Sequence, residues 1–424
     1  MDVREVSLKY GVEQNSQTGG EFVKLYHTQS QELETVTTPD GIFRMYVCGV
    51  TPYDTTHLGH AFTFVWFDVL ARYLEFLGYR TITVQNVTDI DDDILRQAEK
   101  VGLAWDELVR QEIIKYQADM QALNVRPPDY FPYASHEIDK IQAIIIALLA
   151  RSYAYEKNGS VYYSVRGDPD FGELAHMDYD EMLSTANQRG NYPDDPNKRD
   201  PLDFVLWQAA KPGEPTWESP WGPGRPGWHI ECSAMSMRYL GETVDIHSGG
   251  ADLIFPHHTC EIAQSEHYSN VEPFVRYWFH VAMVRLAGEK MSKSLGNMVF
   301  VRDLTHRYSG DAIRVFLLFH HYREEWDADR AEYELKAAED MLGRWDAAIT
   351  LPSGGGTALD PTPYHEAFIA AMDDDLNAAL ALKCLDELAI TIVTEAQNQN
   401  VRQAQTTLKM LGSVLGLKLD APNQ

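Results

Sequence analysis

Four residues of this 424-residue chain form a metal-ligand set: Cys48, Cys232, His257 and Glu261. Two thiols, an imidazole and a carboxylate suit a tetrahedral Zn²⁺ ion. His257 and Glu261 stand four residues apart in a segment read as helical, so both point to one face. His258 and Cys260 are close enough to leave the choice of ligands open on spacing alone. A second chemistry is carried by His57-Leu58-Gly59-His60 and by Lys290-Met291-Ser292-Lys293-Ser294. Taken singly, a histidine pair is an ordinary helix cap and a Lys/Ser loop an ordinary solvated loop. Flanking two halves of one sheet, they point to nucleotide phosphates. A helix N-terminus with histidines meets them from one side, and Lys290 and Lys293 neutralise charge as diphosphate leaves. Gly288 and Gly296 are candidate hinges for that loop.

These residues need elements to hold them. Phe43 to Val47 reads as a buried strand ending at Cys48. Ala61 to Leu77 has helical spacing, with Phe62, Phe64, Phe67, Leu70, Tyr73 and Leu74 on its apolar face and Gly78 as a stop. Thr81 to Val84 reads as the next strand, so 43–85 is one βαβ unit. Asp91 to Asp93 read as negative charge at the start of a following helix, and are also the only candidates offered for Mg²⁺.

Residues 105–225 break this rhythm. They carry helices (Trp105 to Leu123, His136 to Arg151), a hairpin (Ala154 to Val165) and a Pro/Asp/Asn-rich loop (Asn191 to Pro201). The α/β pattern resumes at His229: helix 232–240, strand 243–247, a glycine turn at 248–252, helix 256–268 and strand 277–284. From Asp311 onward the pattern is helical, with segments at 312–320, 328–348, 365–382, 385–395 and 401–415. The expected fold is α/β: a Rossmann-type parallel sheet split by an insertion, followed by a helical bundle. The expected division is a flexible lead (1–21), a first catalytic half (22–104), the insertion (105–225), a second half with the lysine loop (226–310), and the bundle (311–424).

The formal charge of −27, from 36 Lys+Arg and 63 Asp+Glu, argues against a nonspecific polyanion binder. It leaves room for a local basic strip that holds tRNA. The first twenty residues are polar and lack a secretory signal. The apolar run Ile141 to Ala150 is about half of what a membrane span needs. Four cysteines make no disulfide framework in a chain of this size. A cytoplasmic protein with no membrane partner is expected.

Five stretches carry a family resemblance: MYVCG…HLGHA, NVTDIDD, GRPGWHIECSAM, GGADLIFPHH and GEKMSKSLGN. The chain resembles class I aminoacyl-tRNA synthetases, specifically the cysteinyl-tRNA synthetase family and its paralogue, the mycothiol-pathway cysteine ligase, over residues 22 to 418. The resemblance implies that ATP, with Mg²⁺, and L-cysteine form cysteinyl-adenylate, and that the cysteinyl group passes to an acceptor. It matches Cys48, Cys232, His257 and Glu261 to ligands of a zinc ion that holds the substrate thiolate. It places Thr88 and Trp228, beside Cys48 and Gly49, around the cysteine. Gly49, His57, His60, Gly250, Asp252 and Lys293 fall in its ATP-holding motifs. Cysteine and serine are near-isosteres that a shaped pocket separates by only about 10²-fold. A metal that bonds thiolate and scarcely a hydroxyl makes the choice directly. A monomer is expected.

Two acceptors fit the resemblance: the 3′ end of tRNA-Cys, or the amine of glucosaminyl-inositol. The wording VTPYDTTHLGHA, with Pro52 and Thr56, resembles the mycothiol ligase, as do KRDPLDFVLWQAAKPGEPTWES and NMVFVRDL…FHHYREEW. The chain stops soon after Leu415-Gly416-Leu417, where full-length synthetases continue into an anticodon-binding region. Residues 351–424 hold nine acidic and four Lys/Arg residues, an unfavourable surface for an anticodon stem. Glu261 points the other way, because a small residue stands at that position in mycothiol ligases. The balance of these features favours glucosaminyl-inositol, with tRNA-Cys as the alternative and an inactive binding module as a distant third.

Overall fold

A computed structural model describes residues 23–53, 56–291, 296 and 298–419; the lead assigned to 1–21 lies outside them. A short antiparallel pair, β1 (Lys24–His27) and β2 (Glu32–Thr35), precedes β3 (Ile42–Val50). Helix α1 (Leu58–Phe76) then crosses over to β4 (Arg80–Val87), which runs parallel to β3 with Met45 opposite Thr83.

Strand β3 is apolar on both faces, as a parallel strand covered on both sides must be. Its alternation decides which side each residue serves. Phe43, Met45 and Val47 enter the core beneath α1, whereas Tyr46 and Cys48 enter the core on the opposite face. Helix α1 is buried along most of its length, from Leu58 to Leu74, and ends at Leu77 before Gly78 at φ +93°.

Helix α2 (Asp92–Val101) closes the first half, and the segment expected as an insertion then contributes α3 (Trp105–Ala122) and α4 (Ile138–Ala150), followed by β5 (Ala154–Lys157), β6 (Ser160–Tyr163), α5 (Tyr179–Gln188), β7 (Phe204–Ala209) and β8 (Gly224–Pro226). Strands β5 to β8 form one antiparallel sheet in sequential order. The sequence reading found the β5–β6 hairpin but not β7 or β8. β7 is six residues, FVLWQA, without a polar/apolar alternation, and β8 is the three-residue run Gly-Arg-Pro, so no strand period announces either.

Helix α6 (Trp228–Leu240), β9 (Val244–Gly250), α7 (Thr259–Ser269) and β10 (Val275–Val281) complete the main sheet. Its order is β10-β9-β3-β4, with all neighbours parallel. The two βαβ units therefore wind outward in opposite directions from β3 and β9. The crevice at their carboxyl ends is the place where an open α/β sheet binds ligands.

A small sheet built from β11 (Val284–Leu286), β12 (Glu289–Lys290) and, later in the chain, β13 (Trp326–Asp327) brackets α8 (Val301–Thr305) and α9 (Gly310–Leu318). The remaining helices are α10 (Ala331–Thr350), α11 (Thr362–Asp373), α12 (Ala378–Glu395) and α13 (Arg402–Val414). Expected helix 365–382 is in fact broken at 374–377, where Asp375 and Leu376 both take positive φ. The carboxylate of Asp375 explains the break, since it accepts from the Tyr26 amide at 2.9 Å and from the Tyr322 hydroxyl. No helix among the described residues is long and apolar enough to cross a membrane.

One buried cluster ties these parts together. Asp68 of α1 is met by Arg72 of the same helix, Arg126 of the insertion and Arg314 of α9. Arg314 is fully buried and also donates to the carbonyls of Leu123 and, at the chain's far end, Leu415.

Candidate active site and metal centre

A cavity of about 1650 Å³ opens at the carboxyl ends of β3 and β9. Cys48, Gly49, Thr88, Trp228, Cys232 and His257 line its inner end, and His57, His60, Gly250 and Asp252 also face it. The insertion supplies much of the remaining wall, including Arg189, Tyr192 and Lys198.

The donor atoms of Cys48, Cys232, His257 and Glu261 lie within 4.8 Å of one another, and all four residues are buried. The thiols are 3.8 Å apart, unbridged. Glu261 Oε1 is 3.1 Å from His257 Nε2 and 3.6 Å from Cys48 Sγ. Around a tetrahedral Zn²⁺ with bonds of 2.0–2.3 Å, donors stand roughly 3.3–3.8 Å apart, so the set fits such an ion. His257 was expected on the same helix as Glu261. It sits instead on a kinked turn, Ile254–His258, that runs directly into α7, and the two side chains still meet. His229 Nδ1 lies 2.9 Å from His257 Nδ1, which leaves His257 Nε2 facing the other donors. Trp228 stacks on the same ring at 4.4 Å.

Burial pushes the Cys48 thiol and the Glu261 carboxyl well above their ordinary ranges, with the neighbouring thiol and carboxyl adding to the effect at Cys48. Burial opposes ionisation of Cys232 too, yet hydrogen bonding to Cys48 and the nearby His257 bring it down to about 7. Several anionic donors crowded in a dry site need a cation to be ionised together. The surrounding imidazoles of His229, His247, His258 and His280 are held neutral by burial, the state in which they can ligate or hydrogen-bond.

Sequence reasoning missed His247, His258 and His280 as a group, and it missed Asn86. His247 lies in the middle of β9 with Nε2 3.2 Å from Glu261 Oε2, and His258 Nε2 is 3.2 Å from Cys48 Sγ. Nothing in their spacing links them, because they converge only once β9, α7 and β10 are assembled. Asn86 accepts from the Gly49 amide at 2.8 Å and donates to Thr88 Oγ1 at 3.2 Å. It fixes Thr88 relative to the strand that carries Cys48.

Elsewhere on the cavity wall, His57 caps α1, with Nδ1 accepting from the Gly59 amide at 3.1 Å, and its ring stacks on His60 at 3.9 Å. Leu58 donates its amide to Val299, and Val301 donates to Thr56. The segment that follows the lysine loop thus grips the chain on both sides of His57. Gly250 and Asp252 sit at the end of β9, where a Cβ on Gly250 would meet Asp252 Oδ1 at 2.7 Å. Arg189 from the insertion donates to the carbonyls of Asp252 and Phe255. The backbone of Lys290 pairs with Arg285 in β12; its side chain, and Lys293 altogether, lie outside the described residues. The acidic run serves the helix end as expected, with Asp91 capping α2 by accepting from the Asp93 amide at 2.7 Å.

The model for tRNA synthetases class I (C) catalytic domain matches residues 35–339, and the model for the DALR domain matches 367–420. The chain is 45% identical over 402 residues to the cysteine–tRNA ligase of Dehalococcoides mccartyi, covering 94% of this chain and 86% of that one. It is 42% identical to the cysteine–tRNA ligase of Thermococcus onnurineus, covering 93% and 86%. It is also 44% identical over 381 residues to the L-cysteine:1D-myo-inositol 2-amino-2-deoxy-alpha-D-glucopyranoside ligase of Parafrankia sp., covering 89% and 84%. Among solved structures, the Mycobacterium tuberculosis methionyl-tRNA synthetase in complex with methionyl-adenylate shares the fold, with a TM-score of 0.62 at 16% identity, covering 88% and 89%. The chain belongs to the class I cysteinyl-tRNA synthetase family, with its Rossmann-type catalytic domain and helical DALR domain, and is an ATP-dependent ligase of that family.

Proposed function

We propose that the protein activates L-cysteine with ATP and transfers it to tRNA-Cys. Glu261 carries the choice of acceptor: fully buried and in reach of both His257 and Cys48, it supplies the fourth donor where mycothiol ligases have a small residue. The cysteine–tRNA ligases named above, at 42–45% identity, add weight to this reading and against the preference drawn from the sequence.

In this reading Cys48, Cys232, His257 and Glu261 hold Zn²⁺, which when bound selects the substrate by bonding its thiolate. Trp228 and Thr88 close around the amino acid, and Asn86 sets Thr88. The triphosphate lies along the start of α1, where the rings of His57 and His60 border the cavity. The cysteine carboxylate attacks the α-phosphorus, the bond to the β-phosphate oxygen breaks, and diphosphate leaves. His57, His60, Lys290 and Lys293 stabilise charge on the phosphates as it shifts. An acceptor hydroxyl then attacks the carbonyl of the adenylate and AMP departs. Asp91 to Asp93 stay assigned to the end of α2 rather than to Mg²⁺.

The second reading, cysteine transfer to the amine of glucosaminyl-inositol, keeps the support of the Parafrankia relative and of Pro52 and Thr56. The deciding experiment offers purified protein, ATP and cysteine to tRNA-Cys and to glucosaminyl-inositol separately. Cysteinyl-tRNA is the expected product, and cysteinylation of the amino-sugar alone overturns the proposal.

A further inference from the structure

Thr88 and Trp228, which the proposed function sets around the amino acid, come from segments far apart in the chain. Thr88 follows β4 and leads into α2, whereas Trp228 follows β8 and opens α6. Both border the cavity. Strand β4 belongs to the parallel main sheet and β8 to the antiparallel sheet of the insertion, so no strand pairing ties one to the other.

An ion pair spans that gap. Arg225, the middle residue of β8, donates from Nη2 to Asp92 Oδ1 at the start of α2, and from Nε to Glu214 Oε2 at 2.8 Å. Asp92 stands four residues after Thr88, and Arg225 three residues before Trp228. The backbone between these residues is held at both ends. Arg225 pairs in register with Gln208 of β7, the Gly227 amide donates to the Leu206 carbonyl at 2.9 Å, and a Cβ on Gly227 would sit 2.0 Å from the Val205 carbonyl oxygen. On the other side Asp91 caps α2, and the Thr88 amide donates to the Val50 carbonyl at 3.1 Å. A shift at Arg225 is therefore carried to Trp228, and a shift at Asp92 to Thr88.

Arg225 is buried, while the Asp92 side chain is 39% exposed. Burial works against the guanidinium charge, and Glu214, Asp92 and Asp91 restore it. A buried guanidinium needs a carboxylate, and Glu214, from the loop between β7 and β8, already supplies one on the same side of the gap. The second carboxylate, reached on α2, adds a connection between two parts of the cavity wall.

We propose that Asp92 and Arg225 are positioning residues for L-cysteine: their ion pair clamps the Thr88 segment to the Trp228 segment and sets the width of the amino-acid pocket. Neither touches a reacting atom, and both act through the residues they hold. This inference rests on the reading of Thr88 and Trp228 as walls of the cysteine pocket.

The test is cysteine-dependent diphosphate exchange by the zinc-loaded full chain. Asp92→Asn should raise KM for cysteine about 10-fold and leave KM for ATP within about 2-fold of wild type, because only the amino-acid end of the cavity loosens. Glu214→Gln removes charge on one side of the gap and leaves the clamp in place, so it should move KM for cysteine by less than about 2-fold. A wild-type KM for cysteine in Asp92→Asn overturns the clamp. Equal rises in Asp92→Asn and Glu214→Gln, or a parallel rise of KM for cysteine and ATP, also overturn it, since the pair would then merely support the cavity as a whole. Thr88→Ala and Trp228→Ala probe the pocket itself. If both keep the wild-type KM for cysteine, the reading of these residues as its walls fails, whatever Asp92→Asn does.

Discussion

Gly49 and Asn86 are packed backbone to backbone: the Gly49 amide donates to Asn86 Oδ1 at 2.8 Å, and a Cβ on Gly49 would sit 1.7 Å from the Asn86 carbonyl oxygen. The contact joins the two parallel strands beside the donor cluster, one residue after Cys48 and two before Thr88. Any side chain at Gly49 forces the strands apart there.

Asn86→Ala should therefore harm cysteine use more than it harms the fold. It orphans the Gly49 amide and releases Thr88, a loss of about 1–3 kcal/mol, which corresponds to about 10–100-fold in kcat/KM for cysteine. Diphosphate exchange measures it directly. A wild-type kcat/KM in a correctly folded Asn86→Ala protein would remove Asn86 from the site.

His57→Ala and His60→Ala should each slow adenylation by about 10²-fold while cysteine affinity holds, since these rings face phosphate charge that develops during reaction. Quenching of Trp228 fluorescence by cysteine supplies the affinity, and exchange kinetics supply the rate. His57→Ala should also lose about 1 kcal/mol of stability, because its ring caps α1. A parallel fall in rate and cysteine affinity would contradict the assignment of these residues to ATP.

Chelation of the metal should abolish cysteine-dependent diphosphate exchange, and stoichiometric Zn²⁺ should restore it. With metal restored, serine should support almost no exchange. Equal rates with the two amino acids would show that discrimination does not run through the metal.

Asp68 makes stability depend on acid. Burial alone would raise its pKa, but Arg314, Arg72 and Arg126 together bring it down to about 2. A carboxylate held lower in the folded state than in the unfolded one stabilises above pH 4, and the contribution, about 2 kcal/mol, is lost as pH falls from about 4 to about 2. Asp68→Ala should cost about 3–5 kcal/mol at neutral pH, because the fully buried Arg314 keeps its charge without that partner. Urea denaturation at pH 3 and pH 7 checks both; a deficit for Asp68→Ala that does not shrink in acid would mean that the carboxylate is not the titrating group.

Much of this architecture was legible because the chemistry writes itself locally. The strand-loop-helix from Phe43 to Leu77, the glycine after it and the helix cap at His57 each depend on residues a few positions apart. The pairing of Cys48 with Cys232 is different: it crosses 184 positions, and residue types alone suggested it while the family resemblance matched all four ligands. His247 and His280 stayed hidden because each is an unremarkable histidine in its own element, and His258 stood only as an alternative ligand beside His257. Helix 365–382 was over-read for a related reason. Met372 to Asn377 scans as helix, and the break is imposed by Tyr26 and Tyr322, which lie far away in the chain. The preference for a small amine acceptor rested on local wording such as Pro52 and Thr56 and, most of all, on the end of the chain after Leu417 and the acidic balance of 351–424, and the tetrad completed by Glu261, together with the cysteine–tRNA ligase relatives, weighs against it.

The backbone bonds that run from Val299 and Val301 to Leu58 and Thr56 also order events during synthesis. The ribosome makes α1 early, yet the backbone grip around His57 stays unfinished until Val301 emerges some 240 residues later. The donors Cys48, Cys232, His257 and Glu261 are all synthesised sooner. The nascent chain thus holds every residue of its donor cluster before the contacts that close around His57 can form.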